Sequence, residues 1–235
     1  MRQNSILASH APPSAVIFDL DGTLLDTLAD ISLALNEALR HHGLPGTTVD
    51  DVRSRVGWGL EHLVSQSVPP ELFTDEDLVL RIAETTRSYY RSRPVVHTMP
   101  YPGVEDLLRD LHRGEVPMMV LSNKPDDLVQ PIVAQLLHFR FAMIAGARPD
   151  VPRKPDPTTT VAAIEALQVR PKDVIFVGDS EIDIETARAA GCQAVAVAWG
   201  FRDATALRDA GAHQLCYSID ELRAAVGLTK KEETV

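Results

Sequence analysis

Cysteine, aromatic side chains, positive charge and long apolar runs are all scarce in this chain of 235 residues. Cys192 and Cys216 are too few for a disulfide scaffold or a zinc cage of usual spacing, so both read as small buried apolar side chains in a reducing compartment. Aromatic residues at 5% leave little for base stacking. With 23 Lys and Arg against 33 Asp and Glu, the net charge of -10 excludes a broad electrostatic grip on nucleic acid or on an anionic membrane surface. Uncharged stretches such as Val129 to Phe139 and Gly191 to Phe201 fall well short of the ~18 apolar residues of a membrane-spanning helix. The opening MRQNSILASHAPPS has no apolar run of the ~7 to 15 residues that a secretion signal needs, so a cytoplasmic protein is expected.

What is present is enough for a packed core, since 45% of the residues are hydrophobic. Four runs read as buried parallel strands: Ala15 to Leu20, Val116 to Ser122, Asp173 to Asp179 and Gln193 to Trp199, with Phe141 to Gly146 a weaker fifth. Their apolarity is continuous rather than alternating, as a strand covered on both faces requires. Between them run helical spacings: Val104, Leu107, Leu108 and Leu111; then Leu128, Val129, Ile132, Val133 and Leu136; then Val161, Ile164 and Leu167. Alternating strands and helices predict an α/β fold, a doubly wound parallel sheet of Rossmann-like type.

One interval breaks the rhythm. From Thr27 to Met99 the chain is far longer than a crossover needs, which predicts an inserted helical unit. The expected division is a core of residues 1–26 and 100–235 with a helical cap domain at 27–99. Within the insertion, Leu28, Ile31, Leu35 and Leu39 form a helical stripe that the HHGLP segment ends at Gly43 and Pro45, and a long helix is expected from Asp75 to Arg91. There is no internal repeat, and only the first dozen residues and the tail TKKEETV read as disordered.

Chemistry concentrates at strand ends. DLDGTLLDT, Asp19 to Thr27, places two carboxylates at the carboxyl end of the first strand, where open α/β sheets bind ligands. An ordinary Asp-Gly turn with Thr27 capping the next helix would also explain it. VGDSEIDIETA puts Asp179 at the end of another strand and Asp183 one helical turn on, while Glu181 points elsewhere and reads as solvated. Offsetting the helix dipole is the plain alternative for Asp183. In SNKP, Ser122 and the Asn123 amide can bind phosphate oxygens, and in RKPDP Lys154 can neutralise them; a helix cap and a surface charge are the ordinary readings. Four carboxylates in one cleft against Lys154 would repel an anionic substrate or raise carboxyl pKa values, and a hard divalent cation with oxygen ligands resolves the conflict. The constellation points to metal-assisted phosphoryl transfer.

With Asp19-x-Asp21-Gly22-Thr23, Ser122, Lys154, and Gly178-Asp179 with Asp183 in this order over nearly all of the chain, the sequence resembles the haloacid dehalogenase superfamily and its phosphoglycolate phosphatase-like branch. The resemblance implies a phosphatase of a small phosphorylated metabolite, foremost 2-phosphoglycolate, with Asp19 as nucleophile and Asp21 as general acid and then base. It implies that Ser122, the Asn123 amide and Lys154 hold the transferring phosphate. It also implies that Mg2+ is bound by Asp19, the backbone carbonyl of Asp21 and Asp179, with Asp183 in the outer shell holding metal waters or Lys154. The insertion would be the family's cap, and HHGLP and the Tyr89-Tyr90 pair look like that cap. Arg53 to Gly59 is expected as the cap loop facing the site, with Gly57 and Gly59 allowing close backbone approach and Arg53 or Arg55 meeting a second anionic group. AGARPDVPRKPDP lacks a Gly-Gly-Asp segment often found before the lysine motif in that branch, which leaves the individual substrate open.

Alternatives remain a phosphomutase, a pyrophosphatase or another sugar-phosphate phosphatase. More distant are a receiver-like switch, which would be about half this length, and a non-catalytic phosphate-binding member, which would be expected to lose one of the two carboxylates Asp19 and Asp21. Partners expected are a small metabolite, no nucleic acid and no membrane, in a monomer or homodimer.

Overall fold

A computed structural model describes residues 12–212 and 214–228. The expected disordered ends lie, but for Pro12, outside these residues. The chain enters through β1 (Ala15–Phe18), crosses a short strand β2 (Leu25–Asp26) and runs into four helices: α1 (Leu28–His41), α2 (Val49–Arg55), α3 (Leu60–Ser65) and α4 (Glu76–Ser92). It returns by β3 (Met99–Pro100) and then alternates α5 (Val104–Arg113), β4 (Met118–Pro125), α6 (Asp126–Leu136), β5 (Met143–Ala147), α7 (Thr158–Leu167), β6 (Val174–Gly178), α8 (Glu181–Ala190), β7 (Gln193–Val197), α9 (Ala204–Asp209), β8 (Gln214–Cys216) and α10 (Ile219–Ala225). No helix among the described residues is long and apolar enough to cross a membrane.

Six strands form one parallel sheet in the order β5-β4-β1-β6-β7-β8. The chain builds outward from β1 to β5 on one side and then restarts beside β1 with β6. That reversal opens a crevice at the carboxyl ends of β1, β4 and β6, the place where such sheets receive ligands. All four residues of β1 are buried: Val16 and Phe18 pack into the larger apolar cluster, Ala15 and Ile17 into the one on the opposite face. Two covered faces explain the unbroken apolarity of the strands. The larger cluster runs on into the insertion through Leu28, Ile31, Leu35, Leu39 and Ile82, so the helical unit shares its core with the sheet.

The local signals act as their chemistry requires. Asp75 caps α4 by accepting from the Leu78 N–H at 2.9 Å. Gly43 takes φ +72 just past α1, and Leu44 N–H returns to the Leu39 carbonyl. Thr27 stands before α1, but its hydroxyl makes no capping bond. β8, α9 and α10 were not expected; at three, six and seven residues they are too short for periodicity to register. Arg53 to Arg55, expected in a loop, form the last turn of α2, which Thr48 caps by accepting from the Asp51 N–H.

The two chain crossings into and out of the insertion are tied together. β2 pairs antiparallel with β3, and the buried Asp30 of α1 accepts from the N–H groups of Val96, His97 and Thr98 and from the Thr98 hydroxyl. Burial alone would raise the Asp30 pKa; these donors outweigh it and hold it below the usual carboxylate value. At the far side, Arg87 and Arg91 of α4 both bind Asp127 in the first turn of α6, and Arg153 pairs with Glu61 of α3.

Candidate active site

Asp19 continues β1 by one residue, its N–H bonded to the Val177 carbonyl of β6 at 2.9 Å. The ladder thereby fixes where its carboxylate projects. The chain then folds back tightly, with Leu24 and Leu25 N–H groups returning to the Leu20 carbonyl and Gly22 N–H to that of Leu25. Gly22 takes φ +87, and a Cβ there would sit 2.3 Å from Asp179 Oδ2. Both conformation and space demand glycine.

Asp179 follows β6 and is 2% exposed. It accepts from the Phe201 N–H at 2.7 Å and from the Thr23 hydroxyl at 3.2 Å. Gly200 closes the other side: a Cβ on it would lie 2.4 Å from both Asp179 Oδ2 and the Gly22 carbonyl. Asp183 serves two tasks from the first turn of α8. Its Oδ2 accepts from the Ser180 hydroxyl and N–H, and its Oδ1 from Lys154 Nζ at 2.7 Å. Gly178 allows this helix start to pack, because a Cβ would meet the Asp183 side chain at 2.2 Å.

Lys154 bridges the carboxylates. Its ammonium is 2.7 Å from Asp19 Oδ1 as well as from Asp183 Oδ1. Asn123 holds the Lys154 backbone at both polar groups, accepting its N–H and donating to its carbonyl at 2.9 Å each, and also donates to the Gly57 carbonyl of the insertion. The Asn123 side chain is therefore a strut. Ser122, buried within β4, lines the cleft and accepts from the Lys124 N–H.

One oxygen each of Asp19, Asp179 and Asp183 lie within 4.8 Å of one another, a buried group that can hold a metal ion. The electrostatics fit a cation. Burial, with further push from Asp183 and Asp21, lifts the Asp19 pKa to about 7 although Lys154 pulls it down. Burial and the nearness of Asp19 and Asp183 push Asp179 well above its usual value. Oxygen-only donors, crowded until something positive neutralises them, suit a small hard dication.

The insertion roofs these groups through Val56, Gly57, Gly59, Leu60, Leu63 and Tyr90, leaving a cleft of about 70 Å3. Gly57 and Gly59 are at the cleft. Arg53 and Arg55 do not line it: Arg53 is exposed at the end of α2, and Arg55 turns inward on Thr47 Oγ1 and Asp51. The arginine in the cleft is Arg202, which follows β7 and donates to the Arg53 and Val56 carbonyls. Its Nε binds Glu181 at 3.0 Å, so Glu181 is ion-paired rather than merely solvated.

Three cleft residues escaped the sequence reading. Lys124 stands within the quoted SNKP segment, and its ammonium is 2.8 and 3.1 Å from the two oxygens of Asp21. A buried-strand flank ending in lysine was the available signal. Tyr90 belonged to a noted pair but carried no role. Arg202 has no local signature and becomes visible only when β7 is placed beside β6.

The sequence profile of the haloacid dehalogenase-like hydrolases matches residues 16–197. The chain is 36% identical over 215 residues to a phosphoglycolate phosphatase of Chromobacterium violaceum, covering 88% of this chain and 94% of that protein. It is 34% identical over 187 residues to a phosphoglycolate phosphatase of Aquifex aeolicus, covering 79% and 85%. A crystal structure from Lactobacillus delbrueckii subsp. bulgaricus, provisionally assigned as a phosphoglycolate phosphatase, superposes with a TM-score of 0.85 at 33% identity, covering 92% of this chain and 99% of the other. By its strand-end carboxylates, its helical insertion and this match across most of its length, the chain belongs to the haloacid dehalogenase-like hydrolases.

Proposed function

We propose that this protein is a Mg2+-dependent cytoplasmic phosphatase of small phosphorylated metabolites, with 2-phosphoglycolate its leading substrate. The observation that carries the reading is the joining of Asp19, Lys154, Asp183 and Asp179 in one buried cluster under a roof formed by the helical insertion. The names of the relatives at 33 to 36% identity support the choice of substrate. In this reading residues 27–99 act as the cap and residues 1–26 and 100–235 as the core.

Asp19 attacks phosphorus, forming an aspartyl-phosphate as the ester P–O bond breaks, and so replaces one difficult displacement with two easier ones. Asp21, two residues on, gives its proton to the leaving alkoxide and then takes one from the water that cleaves the acyl phosphate. Lys154 and Ser122 hold the phosphoryl oxygens, and Asp183 keeps Lys154 aimed. Asp19, the Asp21 carbonyl and Asp179 would hold Mg2+, whose charge offsets the repulsion between the phosphate and these carboxylates. Burial under the cap excludes competing water.

A panel of phosphate esters tested with Mg2+ and then with chelator checks the reading. Free phosphate released from 2-phosphoglycolate, and lost on chelation, is expected. Transfer of the phosphoryl group to a sugar without release of phosphate would replace it with a mutase. Gly200→Ala is expected to lower kcat/KM on the order of 10²-fold, since a methyl group there displaces Asp179. A variant with unchanged activity and unchanged Mg2+ requirement would refute that role for the glycine.

A further inference from the structure

The cleft holds a tyrosine whose hydroxyl goes unused. Tyr90, from α4, is 5% exposed, and its buried oxygen finds no acceptor for its proton among the described residues. The Lys124 ammonium lies 4.4 Å from the centre of its ring. An ammonium has no lone pair, so even a bond donated from Lys124 to the phenol oxygen would leave the phenol proton without an acceptor. Stranding a buried O–H is unfavourable unless something else brings the acceptor. Lys124 is in a similar position: its ammonium bonds both oxygens of Asp21 and otherwise faces only the Tyr90 phenol, which leaves it able to donate to an incoming acceptor. Ile31, Leu63 and Leu128 contribute apolar lining to the same cleft. An acceptor entering here meets two donors.

The position along the substrate follows from Asp21. Lys124 touches that carboxylate, so the Tyr90 end of the cleft receives the part of the substrate beyond the ester oxygen that Asp21 protonates. We infer that Tyr90 Oη and Lys124 Nζ together bind a carboxylate on the leaving group, so that the protein selects phosphate esters of small hydroxy acids over those of neutral alcohols. This rests on the phosphatase reading and adds to it the residues that read the leaving group.

The test compares kcat/KM for 2-phosphoglycolate and for ethyl phosphate, which has the same two carbons without the carboxylate. The wild type is expected to prefer the acid by on the order of 10²-fold. Tyr90→Phe should cut that preference about tenfold, mainly through KM, and leave ethyl phosphate within about twofold. A second measurement needs no variant: glycolate should inhibit the wild type at least about tenfold better than glycolamide. Equal loss on both esters, an unchanged preference, or equal inhibition by acid and amide would overturn the inference. Hydrolysis of ethyl phosphate as readily as of the acid would sink this inference alone, whereas no phosphate release from any ester would remove the phosphatase reading beneath it.

Discussion

Asp19→Asn is expected to abolish phosphate release, by a factor on the order of 10⁴ or more, while making the protein more stable at pH 7.5. The amide keeps the shape of the carboxylate but removes the attacking charge, and losing the nucleophile of a cooperating set removes most of the catalysis. Stability moves the other way for an electrostatic reason. Asp19 is buried among Asp179 and Asp183, and burial holds its pKa up at about 7. A neutral side chain relieves that repulsion. Phosphate release under saturating Mg2+ and thermal melting of the metal-free protein measure the two effects. Turnover above roughly 1% of wild type would be too high for a residue that forms the covalent bond. Asp21→Asn gives the complementary result: turnover nearly lost, with phosphoenzyme accumulating because no base activates water.

Lys154→Met should remove activity by at least about 10³-fold and also destabilise the fold at neutral pH by about 3–5 kcal/mol, the usual consequence of breaking a buried ion pair. Lys154 is the ammonium between Asp19 and Asp183, and methionine keeps its length without its charge. The loss depends on pH. Asp19 titrates at about 7 in the folded protein against 3.8 for an unperturbed carboxyl, and Asp179 is also raised. Between those values the folded state holds protons that the unfolded chain has released, so stability falls as pH rises from about 4 to about 7. Without Lys154, which lowers the Asp19 value, the fall should continue to higher pH. In the wild type it is absent below about pH 4 and complete above about pH 7. Mg2+ competes for the same carboxylates, so its thermal shift in the wild type should be larger at pH 7.5 than at pH 5. Melting curves with and without Mg2+ at the two pH values test this; a variant that melts like wild type at pH 7.5 would contradict it.

Much of the scaffold is legible because its signals are local. Continuous apolar runs mark β1, β4, β6 and β7, since a strand covered on both faces has no polar side to show. The stripe Leu28 to Leu39 and the Asp75 cap announce α1 and α4 within a few residues. β8 and α9 are too short to repeat a pattern, so their existence depends on an available sheet edge and face rather than on their own composition. The arginines show the limit more sharply. Arg53 and Arg55 belong to a segment that does approach the cleft, but the turn of α2 sends Arg55 into the insertion's own hydrogen bonds and leaves Arg53 exposed. Arg202, about 150 residues further on, takes the place beside Val56.

From residue order alone, Lys124 and Arg202 could not be named, whereas Asp19, Asp21, Lys154, Asp179 and Asp183 could, because they lie at or soon after the carboxyl ends of strands, and those ends of a parallel sheet share one edge. Their partners could not. Whether Lys154 faces Asp19, what Lys124 binds, and that the hydroxyl of Tyr90 ends up buried without an acceptor for its proton depend on side chains separated by tens to more than a hundred positions. Strand pairing sets which main-chain positions lie side by side, but helix packing over them decides the last few ångströms, and hydrogen bonds and ion pairs form or fail within that distance.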